Sequence, residues 1–162
     1  MRYLALAVDY DGTAATHGNF SEDVTRAIER LRASGRRSIL LTSRRLTDLP
    51  ATALALFDLV VAENGAVIFD PHRHEKLLLT NPVPSRLIDR LRERGVEPVD
   101  VGEVVVWSAA QQRGAVVDTI CGLGLELALV FKLMDEPRRL PIELYSMDHD
   151  GAPFLWFNLG FP

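Results

Sequence analysis

Near its start the chain carries an unbroken apolar run, Leu4-Ala5-Leu6-Ala7-Val8, that stops at Asp9. Small and branched apolar residues without polar alternation predict a strand buried on both faces, the parallel-sheet pattern. Ser21 then stands ahead of Val24, Ala27, Ile28 and Leu31 at helical spacing, with Gly35 beyond them. This predicts an N-cap, an amphipathic helix and a glycine stop. Ser38-Ile39-Leu40-Leu41 predicts a second buried strand, ending at Thr42-Ser43-Arg44. Residues 45–57 read as helical, with Pro50 near the start or at a kink. Leu59-Val60-Val61-Ala62 predicts a third strand, ending at Glu63-Asn64-Gly65. Short strands alternating with helices predict right-handed crossovers and a parallel sheet.

The pattern changes after Gly65. Residues 66–69 predict a short strand, and 70–84 a polar, proline-containing connection. Ser85 begins an amphipathic helix with Leu87, Ile88 and Leu91 on one face and Gly95 at its end. Strands are predicted over 96–101 and 103–107, a helix over 109–121 with Val116, Val117 and Ile120 inward, and a strand over 125–131. That order predicts a small α+β unit. From Lys132 onward neither period is sustained, apart from a strand at 142–147; prolines recur, and Phe154 to Phe161 is rich in aromatics. The expected fold is therefore α/β: a partial, Rossmann-like parallel core over 1–66, an α+β unit over 67–131 and an atypical tail over 132–162.

Composition narrows the classes. The net charge of −4 excludes a general nucleic-acid binder. No apolar stretch is long enough to span a bilayer, and the start reads as a strand rather than a signal peptide. A single cysteine, Cys121, rules out an intrachain disulfide and a Cys-rich metal site, and fits the cytoplasm. On an apolar helix face, Cys121 reads as a small core residue. Arginines at 36–37 and 44–45 provide local positive charge suited to phosphate.

The chemistry concentrates at Asp9-Tyr10-Asp11-Gly12-Thr13. Ligands of open α/β sheets bind at strand ends of this kind. Residues two apart on an extended chain point the same way, roughly 6–7 Å apart. Two carboxylates then face one space, and Gly12 turns the chain away. The set suits a nucleophile, a proton carrier and a cation site. A simple Asp-Gly turn with solvated acids is the plainer reading. Thr42 suits a helix cap as well as a phosphate site. Arg44 and Arg45 read equally as surface charges or substrate contacts, and His72 and His74 as exposed loop residues.

Asp9-Tyr10-Asp11-Gly12-Thr13 after a first strand resembles motif I of the haloacid dehalogenase-like phosphatases. Thr42-Ser43-Arg44 looks like their motif II, with Ser43 where glycine is usual. Glu63-Asn64-Gly65-Ala66 resembles the Asn-Gly-Ala element of the Cof-like branch, whose C2-type cap follows the third strand. The resemblance covers roughly residues 1–131. It implies a Mg2+-dependent phosphate-monoester hydrolase acting through an aspartyl-phosphate on a small phosphorylated metabolite such as a sugar phosphate. Asp9 would be the nucleophile, and Asp11 the general acid and then base. Thr42 and the Ser43 amide would hold phosphoryl oxygens, and Asp9 with the Asp11 carbonyl would hold Mg2+. Arg44, Asn64 and Gly65 would serve substrate or hinge. The lysine of motif III has no clear match: Lys76 and Lys132 are the chain's lysines, and neither has the family's context. For the acidic pair of motif IV, Asp148 in Asp148-His149-Asp150-Gly151 is the candidate metal ligand. The chain is thus expected to be the N-terminal part of a longer protein, with a divergent or frame-shifted tail. A missing C-terminal complement or a homo-oligomer is then the expected partner. The alternative function is a catalytically incomplete pseudoenzyme acting as a binding module; a receiver-like phosphoacceptor ranks below it.

Overall fold

The computed structural model describes residues 3–131 and 141–146. The chain divides into two compact units between Leu79 and Thr80.

In the first unit, β1 (Ala5–Asp9) is followed by a short hairpin, β2 (Ala15–Thr16) and β3 (Asn19–Phe20), and by α1 (Glu22–Ala33). Ser21 caps α1, its Oγ accepting the Val24 N–H at 3.3 Å, and Gly35 closes the helix at φ +77°. These are the stop and start signals read from the sequence. Next come β4 (Arg37–Leu41), α2 (Ala51–Leu56), β5 (Leu59–Ala62), β6 (Val67–Asp70) and β7 (Glu75–Leu78). The helix expected over 45–57 is broken: a single 3-10 turn at Leu46–Asp48 precedes α2, and Pro50 caps the latter. Proline cannot donate an amide hydrogen bond, so the helix begins after it.

The sheet order is β1-β4-β5-β6-β7. β1, β4 and β5 run parallel, while β6 and β7 are antiparallel additions. The boundary expected after residue 66 falls just before the β6–β7 hairpin, and the connection expected over 70–84 contains β7. A charged, exposed strand such as Glu75-Lys76-Leu77-Leu78 gives little hydrophobic signal.

Residues paired across the sheet share a face. The face with Leu40, Val60, Ala62 and Val67 is buried, and α1 packs on β4. The opposite face, with Ala7, Ile39, Leu41, Val61 and Ile68, is half-buried or exposed. β1 is thus not buried on both faces as expected: Ala5, Leu6, Ala7 and Asp9 are exposed and Val8 is half-buried. Among the described residues it is an edge strand, and its apolar sequence alone does not supply a cover.

The second unit contains α3 (Ser85–Glu93), β8 (Val99–Val101), β9 (Val106–Ala109), α4 (Arg113–Gly122), β10 (Leu127–Phe131) and β11 (Pro141–Ser146). Its antiparallel sheet has the order β10-β11-β9-β8. Leu87 and Leu91 of α3 meet Val96, Val106, Val116 and Ile120 in its core. Cys121 lies on the exposed side of α4, not in that core. The α4 face that packs carries Val116 and Ile120, and Cys121 is the next residue around the helix. No helix among the described residues is long and apolar enough to cross a membrane.

Candidate active site

Three loops leave β1, β4 and β5 at the same end of the sheet. Asp9 is paired with Leu41, and Leu41 with Val61, so the strands end in register. The backbone ties the loops in sequence. Tyr10 N–H donates to the Leu41 carbonyl at 2.9 Å, and Thr42 N–H to Val61 at 2.9 Å. Glu63 N–H donates to the Arg44 carbonyl at 3.0 Å, and Asn64 N–H to Thr42 at 3.1 Å.

The first loop folds back tightly. Gly12 adopts φ +74°, which glycine takes without the Cβ penalty of other residues. The Asp9 and Tyr10 carbonyls accept the Ala14 and Ala15 N–H groups at 3.0 and 2.8 Å. Tyr10 is fully buried; its hydroxyl donates to the Gly18 carbonyl at 2.7 Å and its ring meets Phe20 edge-on at 5.4 Å. With Tyr10 held inward, its neighbours Asp9 and Asp11 are left on the exposed side.

Asp11 does not stand alone. Arg44 Nε and Nη2 donate to its two oxygens at 2.9 and 2.7 Å, a bidentate fork. The guanidinium also lies 5.2 Å from the Tyr10 ring centre. The Asp11 hydrogen bond raises the Arg44 pKa above its ordinary value; partial burial opposes this, and the Asp11 charge adds to it. The pair is too exposed to contribute more than about 1 kcal/mol to stability, so its effect is to orient Asp11. Arg45 pairs instead with Asp48 at 2.7 Å.

Thr42 is buried, and its Oγ1 accepts the Arg44 N–H at 3.1 Å. That fixes the hydroxyl beside the strand end while its own proton is available to an acceptor. Ser43 is half-buried next to it. The third loop has consecutive left-handed residues, Glu63, Asn64 and Gly65, at φ +48°, +58° and +91°. Glu63 is fully buried, and for a glutamate this backbone is costly and needs support from its surroundings. The bonds to Arg44 and Thr42 supply that support, so Asn64 is pinned to the Thr42 loop.

Of the residues expected at the site, Asp9 ends β1, and Asp11, Thr42, Ser43, Arg44, Asn64 and Gly65 lie in the loops that follow β1, β4 and β5. Lys76 is in β7, at the far edge of the sheet from β1. At about 4.8 Å per strand it is roughly 19 Å away. Lys132, Asp148 and the aromatic stretch at 154–161 lie outside the described residues. Among the described residues no group of three or more His, Cys, Asp or Glu side chains is arranged to hold a metal. The donors that do suit a hard cation are the Asp9 carboxylate and the Asp11 main-chain carbonyl. That carbonyl accepts no backbone hydrogen bond among the described residues. A hard cation held by so few protein oxygens would keep several waters among its ligands.

One polar residue escaped the sequence reading. Asp58 is 11% exposed and sits at the start of β5, the opposite end from the site. Its Oδ2 accepts the Ser38 N–H at 2.8 Å and Oγ at 3.0 Å, and its N–H donates to the Ser38 carbonyl at 3.0 Å. Arg32, His72 and Arg37 approach Oδ1 at 3.4, 3.6 and 3.9 Å. Burial pushes the Asp58 pKa up, but the Ser38 hydrogen bonds and the two arginines outweigh it, and the pKa is lowered. A lone aspartate between Phe57 and Leu59 carries no motif that would have found it.

The pattern of haloacid dehalogenase-like hydrolases matches residues 6–98. Among solved structures, a haloacid dehalogenase-like hydrolase of Bacteroides thetaiotaomicron superposes with TM-score 0.68 at 15% identity, over 91% of this chain and 72% of that one. A phosphatase of the haloalkanoate superfamily from the same organism gives 0.59 at 14% identity, over 89% and 67%. A subclass IIB sugar phosphatase gives 0.58 at 14% identity, over 88% and 69%. At these identities the likeness shows the fold. No curated protein matches the sequence.

Proposed function

This chain belongs to the haloacid dehalogenase-like hydrolase family, and from that premise we propose that it hydrolyses the phosphate monoester of a small metabolite such as a sugar phosphate. The reading is carried by one juxtaposition: Asp9 at the end of β1, Asp11 forked by Arg44, and the Thr42 hydroxyl, on loops laced together by backbone hydrogen bonds. The sugar phosphatase among the structural neighbours supports the substrate class.

An Asp9 carboxylate oxygen attacks phosphorus, and the bond from phosphorus to the substrate's alkoxy oxygen breaks. Protonated Asp11 gives its proton to that oxygen, releasing the alcohol. Asp11, now a carboxylate, takes a proton from water. The water oxygen attacks phosphorus, the bond to Asp9 breaks, and inorganic phosphate leaves. Thr42 Oγ1–H and the Ser43 N–H donate to the non-bridging oxygens, where charge is spread in the transition state. Mg2+, held by the Asp9 carboxylate and Asp11 carbonyl, would reduce the repulsion between carboxylate and phosphate. Arg44 holds Asp11 in place and adds positive charge to the mouth of the site.

The test is hydrolysis of p-nitrophenyl phosphate by the full chain with Mg2+. Asp9→Asn should abolish turnover with the circular dichroism spectrum unchanged; undiminished turnover discards the nucleophile. A second reading, binding of a phosphate ester without turnover, draws support from the position of Lys76 and the lack of a three-acid cluster among the described residues. Calorimetric binding of a sugar phosphate by a chain without hydrolytic activity would favour it.

A further inference from the structure

We propose that Tyr10, the residue between the two aspartates, is a positioning residue: its ring holds the Arg44 guanidinium and, through it, the Asp11 carboxylate. The proposal rests on the reading of Asp11 as the proton carrier of phosphate-ester hydrolysis.

The fork between Asp11 and Arg44 cannot fix its own position. The two side chains are 47% and 39% exposed. Holding a long arginine still costs rotamer entropy, which an exposed ion pair barely offsets. A fork attached only to itself can swing as a unit, keeping both hydrogen bonds while the carboxylate moves. Pinning it takes a third contact, to a group that stays in place.

Tyr10 is that group. Arg44 Cζ lies 5.2 Å from the centre of its ring, inside the roughly 6 Å over which an aromatic face attracts a cation. Tyr10 is itself fixed from several elements. Its N–H donates to the Leu41 carbonyl of β4 at 2.9 Å, and its carbonyl accepts from the Ala15 N–H of β2 at 2.8 Å. Its hydroxyl donates to the Gly18 carbonyl, in the β2–β3 turn, at 2.7 Å. Phe20 meets the ring edge-on at 5.4 Å and lies 5.9 Å from the ring of Phe57. Tyr10 and Phe57 are both fully buried. A line of contacts therefore runs from the core through Tyr10 to Arg44 and ends at Asp11. Packing alone would be served by an aliphatic side chain that fills the same space. Such a side chain offers a cation no electron-rich face.

The test uses the full chain with Mg2+ and p-nitrophenyl phosphate. Tyr10→Leu should lower kcat about 5- to 10-fold, with KM within about twofold, because the acid is misplaced and not the substrate. Tyr10→Phe keeps the ring and loses the hydroxyl bond to Gly18; it should melt at a lower temperature yet keep kcat within about twofold. In an Arg44→Ala background, Tyr10→Leu should cost nothing further, since the two residues act in series. Additive losses overturn the proposal, and so do equal losses from the Phe and Leu variants. If Tyr10→Leu fails to fold, pentafluorophenylalanine at position 10 keeps the ring's shape while withdrawing its π density. It should turn over more slowly than Tyr10→Phe, and equal rates overturn the proposal. Proton NMR of the substrate-free chain reads the geometry without turnover. The ring current of residue 10 acts on the Arg44 Nε–H signal, identified by its loss in Arg44→Ala. That signal should keep its position in Tyr10→Phe and move in Tyr10→Leu. Absence of turnover in the unmodified chain defeats the phosphatase reading alone, whereas an Arg44 signal unmoved by Tyr10→Leu overturns the positioning itself.

Discussion

Replacing Asp58 by alanine should be among the most damaging single changes in the first unit, although it lies at the opposite end of the strands from the site. Its carboxylate accepts two hydrogen bonds from Ser38 and faces Arg32 and Arg37. A hydrogen bond to a charged group is worth about 1.5–3 kcal/mol, and its loss leaves the buried Ser38 N–H short of an acceptor. The expected cost is about 2–3 kcal/mol, a large share of the 5–15 kcal/mol typical of a domain. At about 4–8 °C per kcal/mol, the melting temperature should fall by on the order of 10–20 °C. Urea titrations followed by circular dichroism measure this at neutral pH, and a series of pH values tests the cause. Because the folded pKa of Asp58 is depressed, its contribution is complete above the unfolded value of about 3.9 and is lost as pH falls through the folded pKa. The gap between wild type and Asp58→Asn should therefore be flat above about pH 5 and close below about pH 4. A gap that stays constant with pH, or an alanine variant within about 0.5 kcal/mol of wild type, would refute the assignment.

Arg44→Ala should cost less than about 1 kcal/mol of stability, because the pair with Asp11 is exposed. It should still lower kcat/KM for p-nitrophenyl phosphate by about 100-fold, through a misplaced Asp11; paired denaturation and kinetic measurements check the contrast. Gly12→Ala should destabilise by about 1–2 kcal/mol through its left-handed backbone alone, since no atom lies within 4 Å of an added Cβ. Circular dichroism melts read this cost, and a loss several times larger would point to a clash instead.

Legibility in the sequence followed the strength of local pattern. β4 and β5 announce themselves as short apolar runs, and the Ser21 and Gly35 signals bracket α1 closely. Asp9, Asp11 and Thr42 are visible because each follows such a run directly. The β2–β3 hairpin is not, because two-residue strands are too short to show a period. The Arg44–Asp11 fork joins residues 33 apart in the chain, and only the sheet register brings them together. Asp58 was hidden for a similar reason: its partner Ser38 is 20 residues away. The exposure of β1 is not legible in its apolar run, because burial depends on what lies beside a strand as well as on its own side chains.

Arg44 separates cleanly into two parts. Its main chain is scaffold: the N–H holds Thr42, and the carbonyl receives Glu63. Its side chain is electrostatics, directed at Asp11 and Tyr10. Most substitutions would keep both backbone bonds and alter only the charge, so position 44 can be varied chemically without dismantling the loops. Proline is the exception, because it lacks the N–H that Thr42 accepts. In mutational terms, one codon offers two independent experiments: charge variants read the environment of the acid, and proline reads the architecture that presents it.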